Sequence, residues 1–198
     1  MKRFAAAALS WASIAGAQQP TNDPAALVNP FIGTTNGGNL FPGATLPFGM
    51  VSFSPEETPL PGSGLVVAAP GGYEWRSNGV RGFGLAHVSG SGCAGAGGDI
   101  PIMPVTREVK ASPSAAPNVY AAYLDHSKET ASPGAYSVEL GNGVRVDLSA
   151  TLRTGVARFI FPADKPANLL FRTSDTEVGS RDADIRIDAA HRTVSGSV

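Results

Sequence analysis

The chain has 198 residues, enough for one core of ordinary size and too few for two complete globular domains. Its 24 glycines and 16 prolines, set against only 16% charged residues, predict abundant turns and few long solvated helices. The 15 basic and 16 acidic residues are mixed along the chain to a net charge of −1, and no block of either sign could release counterions from a polyanion, which excludes nucleic acid as a partner.

The first element is an export signal over residues 1–17: a basic start at Met1-Lys2-Arg3, an apolar stretch from Phe4 to Ile14, and the small residues Ala15-Gly16-Ala17 before Gln18. That stretch falls short of the roughly 20 apolar residues a bilayer requires, so cleavage is expected rather than anchoring, and no membrane span. The mature protein is then secreted or periplasmic. Its single cysteine, Cys93, has no partner for an internal disulfide, so stability must come from burial.

Residues 18–26 form a polar linker, and 27–198 are expected to be one domain. Its first eighty residues are dense in Gly, Pro and aromatics, without a sustained helical period. The apolar segments from Leu46 to Phe53 and from Ile100 to Val105 are broken by prolines, which lack a ladder donor and suit edges and strand ends. From Asn118 onward the alternation is cleaner. Val144, Val146 and Leu148 alternate with Arg145, Asp147 and Ser149, and the turn Gly141-Asn142-Gly143 joins this run to Tyr136–Leu140 as a hairpin. Further strands are predicted at Ala157–Phe161, Leu169–Thr173, Asp184–Asp188 and Arg192–Ser197. Short strands with turn signals every ten residues or so indicate an all-β fold, an antiparallel β-sandwich. The stop at Val198, inside a predicted strand, marks the sequence as a fragment incomplete at its C-terminus.

Local motifs exclude several chemistries. Gly90-Ser91-Gly92-Cys93-Ala94-Gly95 has the spacing of a dinucleotide fingerprint, but the glycines and proline that follow it cannot open the helix such a site requires. A loop whose small residues allow close approach is the better reading. His87 precedes this loop, where a hydrogen-bonded structural role and a functional one both remain open. His126 and His191 sit in polar, turn-like surroundings, and with Cys93 they form no zinc-ligand spacing. No nucleophile elbow surrounds Ser89 or Ser91. Carboxylates are plentiful, but spacing along the chain cannot set two of them across a sugar, so no catalytic residue is assigned.

Taken as ordered strings, several stretches together resemble one family. These are Val28-Asn29-Pro30-Phe31-Ile32-Gly33-Thr34, Phe41-Pro42-Gly43-Ala44-Thr45-Leu46-Pro47-Phe48-Gly49-Met50-Val51 with Ser54-Pro55, and Gly72-Tyr73 followed by the run Gly82 to Cys93. Gly98-Asp99-Ile100, Met103-Pro104, His126, Glu129, Ala131, Pro133-Gly134, Ala150-Thr151 and Arg153 complete the pattern. Over residues 28 to 175 the chain is similar to the N-terminal domain of glycoside hydrolase family 92.

The resemblance implies a calcium-dependent, inverting exo-α-mannosidase acting on mannose-rich glycans such as N-glycans or yeast mannan. It implies a sandwich like that of galactose mutarotase, paired with a C-terminal (α/α)6-barrel of the same polypeptide that holds the general acid, the general base and most calcium contacts. This chain alone would then be inactive. Its contribution would be loops closing one side of the sugar pocket, with Phe31, Gly33, His87 and Cys93 as the candidate substrate-binding residues. The family's G-F-S-H-T-H stretch is here Gly82-Phe83-Gly84-Leu85-Ala86-His87, which keeps only the second histidine. Cys93 stands where some relatives carry a tryptophan, so that stacking platform is expected to be missing. A freestanding secreted carbohydrate-binding module and a purely structural domain packed on the barrel are the alternatives.

Overall fold

The structure is a computed structural model and describes residues 23–63, 69–90, 98–112, 118–173 and 180–197. Two antiparallel sheets dominate it. The first contains β1 (Ala44–Thr45), β2 (Ser52–Glu57), β3 (Gly79–Gly84), β4 (Ile102–Val105) and β10 (Asn168–Phe171) in that order, with β5 (Ala122–Tyr123) also paired to β3. The second runs β6 (Glu129–Ser132), β7 (Ala135–Glu139), β8 (Arg145–Ala150) and β9 (Gly155–Ile160). β1 and β2 contact β7 and β8, so the sheets lie against each other around one core. A separate hairpin joins β11 (Asp184–Asp188) to β12 (Thr193–Ser197). Among the described residues helical structure is limited to two short 3-10 turns, Pro24–Leu27 and His126–Lys128, capped by the side chains of Asp23 and Asp125.

The second sheet follows directly from alternation. Tyr136 and Val138 on β7, and Val146, Leu148 and Ala150 on β8, are buried. Each large apolar side chain among them stabilises the fold by roughly 1.5–3 kcal/mol relative to exposure. Between them, Ser137, Arg145 and Arg158 converge on Asp147 along the outer face. The β7–β8 register, Val138 opposite Val146, is set by a turn in which Gly143 takes φ +90° and Asn142 accepts a hydrogen bond from the Val144 amide. A residue with a side chain pays for that left-handed conformation, which is why glycine stands there.

The first sheet differs from expectation in one respect. Pro47 lies between β1 and β2, at a strand end as expected, but Pro104 falls inside β4, an interior strand rather than an edge, as does Pro55 inside β2. These two interior prolines are accommodated because pairing is partial on one side: β1 stops at the Phe53 register, two residues before Pro55, and β3 meets β4 only at Phe83 and Ile102, two residues before Pro104. β3 itself, Gly-Val-Arg-Gly-Phe-Gly, carries too few strand-forming residues for alternation to reveal it.

Candidate functional site

Three loops at the end of the first sheet are fastened to one another. In the first, Gly33 takes φ +82°, and a side chain there would strike Leu40, since an added Cβ would lie 2.4 Å from its Cδ1. The Thr34 carbonyl accepts from the Trp75 amide at 2.8 Å, and the Thr35 hydroxyl donates to Glu74 at 2.6 Å, which ties this loop to the second, residues 69–76. The Asn39 carbonyl accepts from the Gly90 amide at 2.9 Å, which ties it to the third, residues 85–90. Gly71 also passes Asn39 so closely that a Cβ would lie 2.8 Å from its carbonyl oxygen. Small residues at these crossings are required by the approach of backbone to backbone.

Beneath the third loop sits a buried pair. His87 Nδ1 lies 2.8 Å from the Ser52 carbonyl, which can only accept, so Nδ1 carries the proton. Its Nε2 lies 2.7 Å from Glu56 Oε1, with both side chains fully buried. The two atoms are in close polar contact, without the alignment of a straight hydrogen bond. The Arg81 guanidinium stands 3.6 Å from the other Glu56 oxygen. The Phe41 ring packs against His87 with centroids 4.8 Å apart.

The neighbouring carboxylate, Glu57, enters a different network. It accepts from the Glu74 amide, and burial pushes its pKa well above the usual carboxylate range. Close by, Glu129 accepts from the Tyr73 hydroxyl at 2.9 Å and from the Tyr136 hydroxyl, and receives His126 Nδ1 at 2.6 Å. His126 Nε2 points to the Ser77 carbonyl at 2.8 Å. The indole of Trp75 stacks on the His126 ring at 4.2 Å, and Phe31 meets Trp75 edge-on at 5.2 Å. The half-exposed aromatic pair Phe31 and Trp75 is thus backed by a buried acid and its histidine.

This arrangement fixes a pH dependence. Burial works against the charged His126 ring, but the Glu129 hydrogen bond and charge outweigh it, so the pKa stands above its ordinary value. The folded chain therefore holds the His126 proton more tightly than the unfolded chain. The resulting stability is fully present below about pH 6.5 and is lost as pH rises through the folded value. Urea midpoints followed by circular dichroism should fall between about pH 6.5 and pH 9, and His126→Gln should flatten that part of the curve.

Of the residues singled out from sequence, the structure brings Phe31, Gly33 and His87 to this loop cluster. Phe31 is half-buried against Trp75, Gly33 makes the turn behind it, and the His87 ring points inward to Glu56 rather than outward. Cys93 and most of the Gly90–Gly95 motif lie outside the described residues, as does the expected signal segment. Trp75, Glu56 and Glu129 are additions. The signals in sequence were an aromatic two residues after the Gly72-Tyr73 pair and two adjacent acids inside an apolar segment. Among the described residues there is no group of three or more His, Cys, Asp or Glu side chains placed to hold a metal ion. No helix among them is long and apolar enough to cross a membrane.

Comparison with known proteins points to one family. A family model described as the glycosyl hydrolase family 92 N-terminal domain matches residues 27–198. An uncharacterised secreted glycosidase of Arthroderma benhamiae is 29% identical over 149 residues, covering 74% of this chain and 18% of the relative. A family GH92 α-mannosidase of Bacteroides thetaiotaomicron, solved with mannoimidazole, is 34% identical with a TM-score of 0.66, over 77% of this chain and 20% of that one. The GH92 glycosyl hydrolase ccman5 is 27% identical with a TM-score of 0.74, over 88% and 24%. An inverting GH92 mannosidase of Bacteroides thetaiotaomicron is 27% identical with a TM-score of 0.64, over 85% and 21%. The chain thus spans a quarter or less of the length of these relatives, and it belongs to glycoside hydrolase family 92 as that family's N-terminal domain.

Proposed function

We propose that this domain forms one wall of the sugar pocket of a secreted, inverting exo-α-mannosidase whose general acid and base come from residues beyond this chain. The observation that carries the reading is the family match over residues 27–198, in a chain that covers only 20 to 24% of its solved relatives. The side chains at the loop cluster support it. A general acid or base must come within about 2.6–3.2 Å of a reacting oxygen, directly or through one water. Glu56, Glu57 and Glu129 are buried away from any such position. Asp99, just after Gly98, is exposed, but inversion needs a second carboxyl group roughly 6.5–9.5 Å from the first.

In this reading Phe31 and Trp75 offer apolar ring surface to a sugar, and Gly33 makes the turn that presents Phe31. Cys93, outside the described residues, is the remaining candidate for sugar contact. The substrate is a terminal α-linked mannose of N-glycans or mannan, and the catalytic partner is a C-terminal (α/α)6-barrel of the same polypeptide. Calcium dependence belongs to oxygen ligands outside this domain. Export is supported by the leader-like start at residues 1–17 and by the description of the fungal relative as secreted.

An aryl α-mannoside offered to the 198-residue chain and to the full-length gene product tests this. Turnover is expected from the full-length protein alone. Turnover by the short chain, abolished by Asp99→Asn, would place the chemistry here and overturn the proposal. Mannose binding by the short chain, with a full-length product that is inert, would favour a freestanding binding module.

A further inference from the structure

We infer that Glu56 is a positioning residue for the sugar pocket: its buried carboxylate, held by His87 and enclosed by three glycines, sets how closely the two glycine-rich loops approach. The inference rests on the reading that these loops face a mannoside. Glu56 has no access to solvent, and a cradle is cut around its carboxylate from three separate segments. A Cβ on Gly84 would lie 2.5 Å from Oε1, one on Gly98 2.6 Å from Oε2, and one on Gly72 2.8 Å from Oε2. Gly72 and Gly98 have φ of +83° and +85°, so both positions resist a side chain twice over. Gly72 ends the turn of the second loop, where its carbonyl accepts from the Glu57 amide at 2.8 Å. Gly98 closes the segment after the third loop, where its amide donates to Ala86 at 2.9 Å. His87, on the third loop, reaches the same carboxylate at 2.7 Å. One acid therefore meets both loops at three points, Gly72, Gly98 and His87, besides its seat over Gly84 in the β2–β3 ladder.

A pocket wall contributes binding that is similar in the ground state and the transition state, so its displacement should raise KM with little change in kcat. In the full-length protein, Glu56→Ala should raise KM for an aryl α-mannoside about tenfold and weaken mannoimidazole binding about equally, with kcat within about threefold. Gly98→Ala should reproduce that split. Glu56→Gln, which keeps the shape and can donate to His87 Nε2, should restore KM to within about threefold. If the alanine variant does not fold, Glu56→Asp, whose carboxylate is withdrawn by one methylene, carries the same expectation at about threefold. Folded Glu56→Ala or Glu56→Asp protein with wild-type KM and wild-type mannoimidazole affinity would overturn the inference. A wild-type full-length protein that neither binds nor turns over mannosides would instead defeat the reading of the pocket, and this inference with it.

Discussion

Glu129→Ala should destabilise the 198-residue chain by about 3–5 kcal/mol, the cost of breaking a buried ion pair by removing one partner. The carboxylate receives the Tyr73 and Tyr136 hydroxyls and the His126 ring at once. Its removal leaves all three facing a cavity. Both tyrosines have pKa values raised, chiefly by burial, so neither can relieve the loss by ionising. Glu129→Gln keeps an acceptor oxygen and should lose about half as much, since a neutral hydrogen bond replaces a charge-assisted one. Urea denaturation followed by circular dichroism measures both. A Glu129→Ala midpoint equal to wild type would show that the cluster does not hold β6 and β7 to the Tyr73 loop.

Phe83→Ala should cost a similar amount by a different mechanism. Phe83 is fully buried on β3, opposite Pro55 on β2 and Ile102 on β4, and its ring approaches Phe159 of the second sheet with centroids 6.4 Å apart. Truncation removes apolar burial and leaves a void between the sheets, about 3–5 kcal/mol for a phenylalanine. At about 2–4 °C per kcal/mol for a chain of this size, the thermal midpoint should drop by roughly 6–20 °C. Calorimetry reads the change directly. A drop of less than about 2 °C would mean that the two sheets do not share this contact.

The second sheet was legible in the sequence because one face is wet. Val144, Val146 and Leu148 alternate with Arg145, Asp147 and Ser149, and Gly143 requires the turn conformation that fixes the register. The first sheet was harder to read for the opposite reason. β2 is buried along nearly its whole length, so Phe53, Ser54, Pro55, Glu56 and Glu57 show no alternation, and two acids stand where apolar residues would mark a core. The same positions hid the polar clusters. Nothing local to Glu56 says that Gly72, Gly84 and Gly98 will surround it, and Glu129 meets Tyr73 across 56 residues of chain. The loop cluster itself could be anticipated from the density of Gly, Pro and aromatics between Val28 and Pro104. The inward turn of His87 could not, because it depends on a partner thirty-one residues earlier in sequence.

Affinity for mannoimidazole, measured by calorimetry on the full-length protein with and without Phe31→Ala, addresses the pocket wall most directly. Phe31 packs on Trp75 at the loop surface rather than within the main core, so the variant should stay folded while the dissociation constant rises about tenfold, or about 1.4 kcal/mol. Equal affinity in the two folded proteins would mean that the sugar lies elsewhere and that these loops serve only to pack one domain on another.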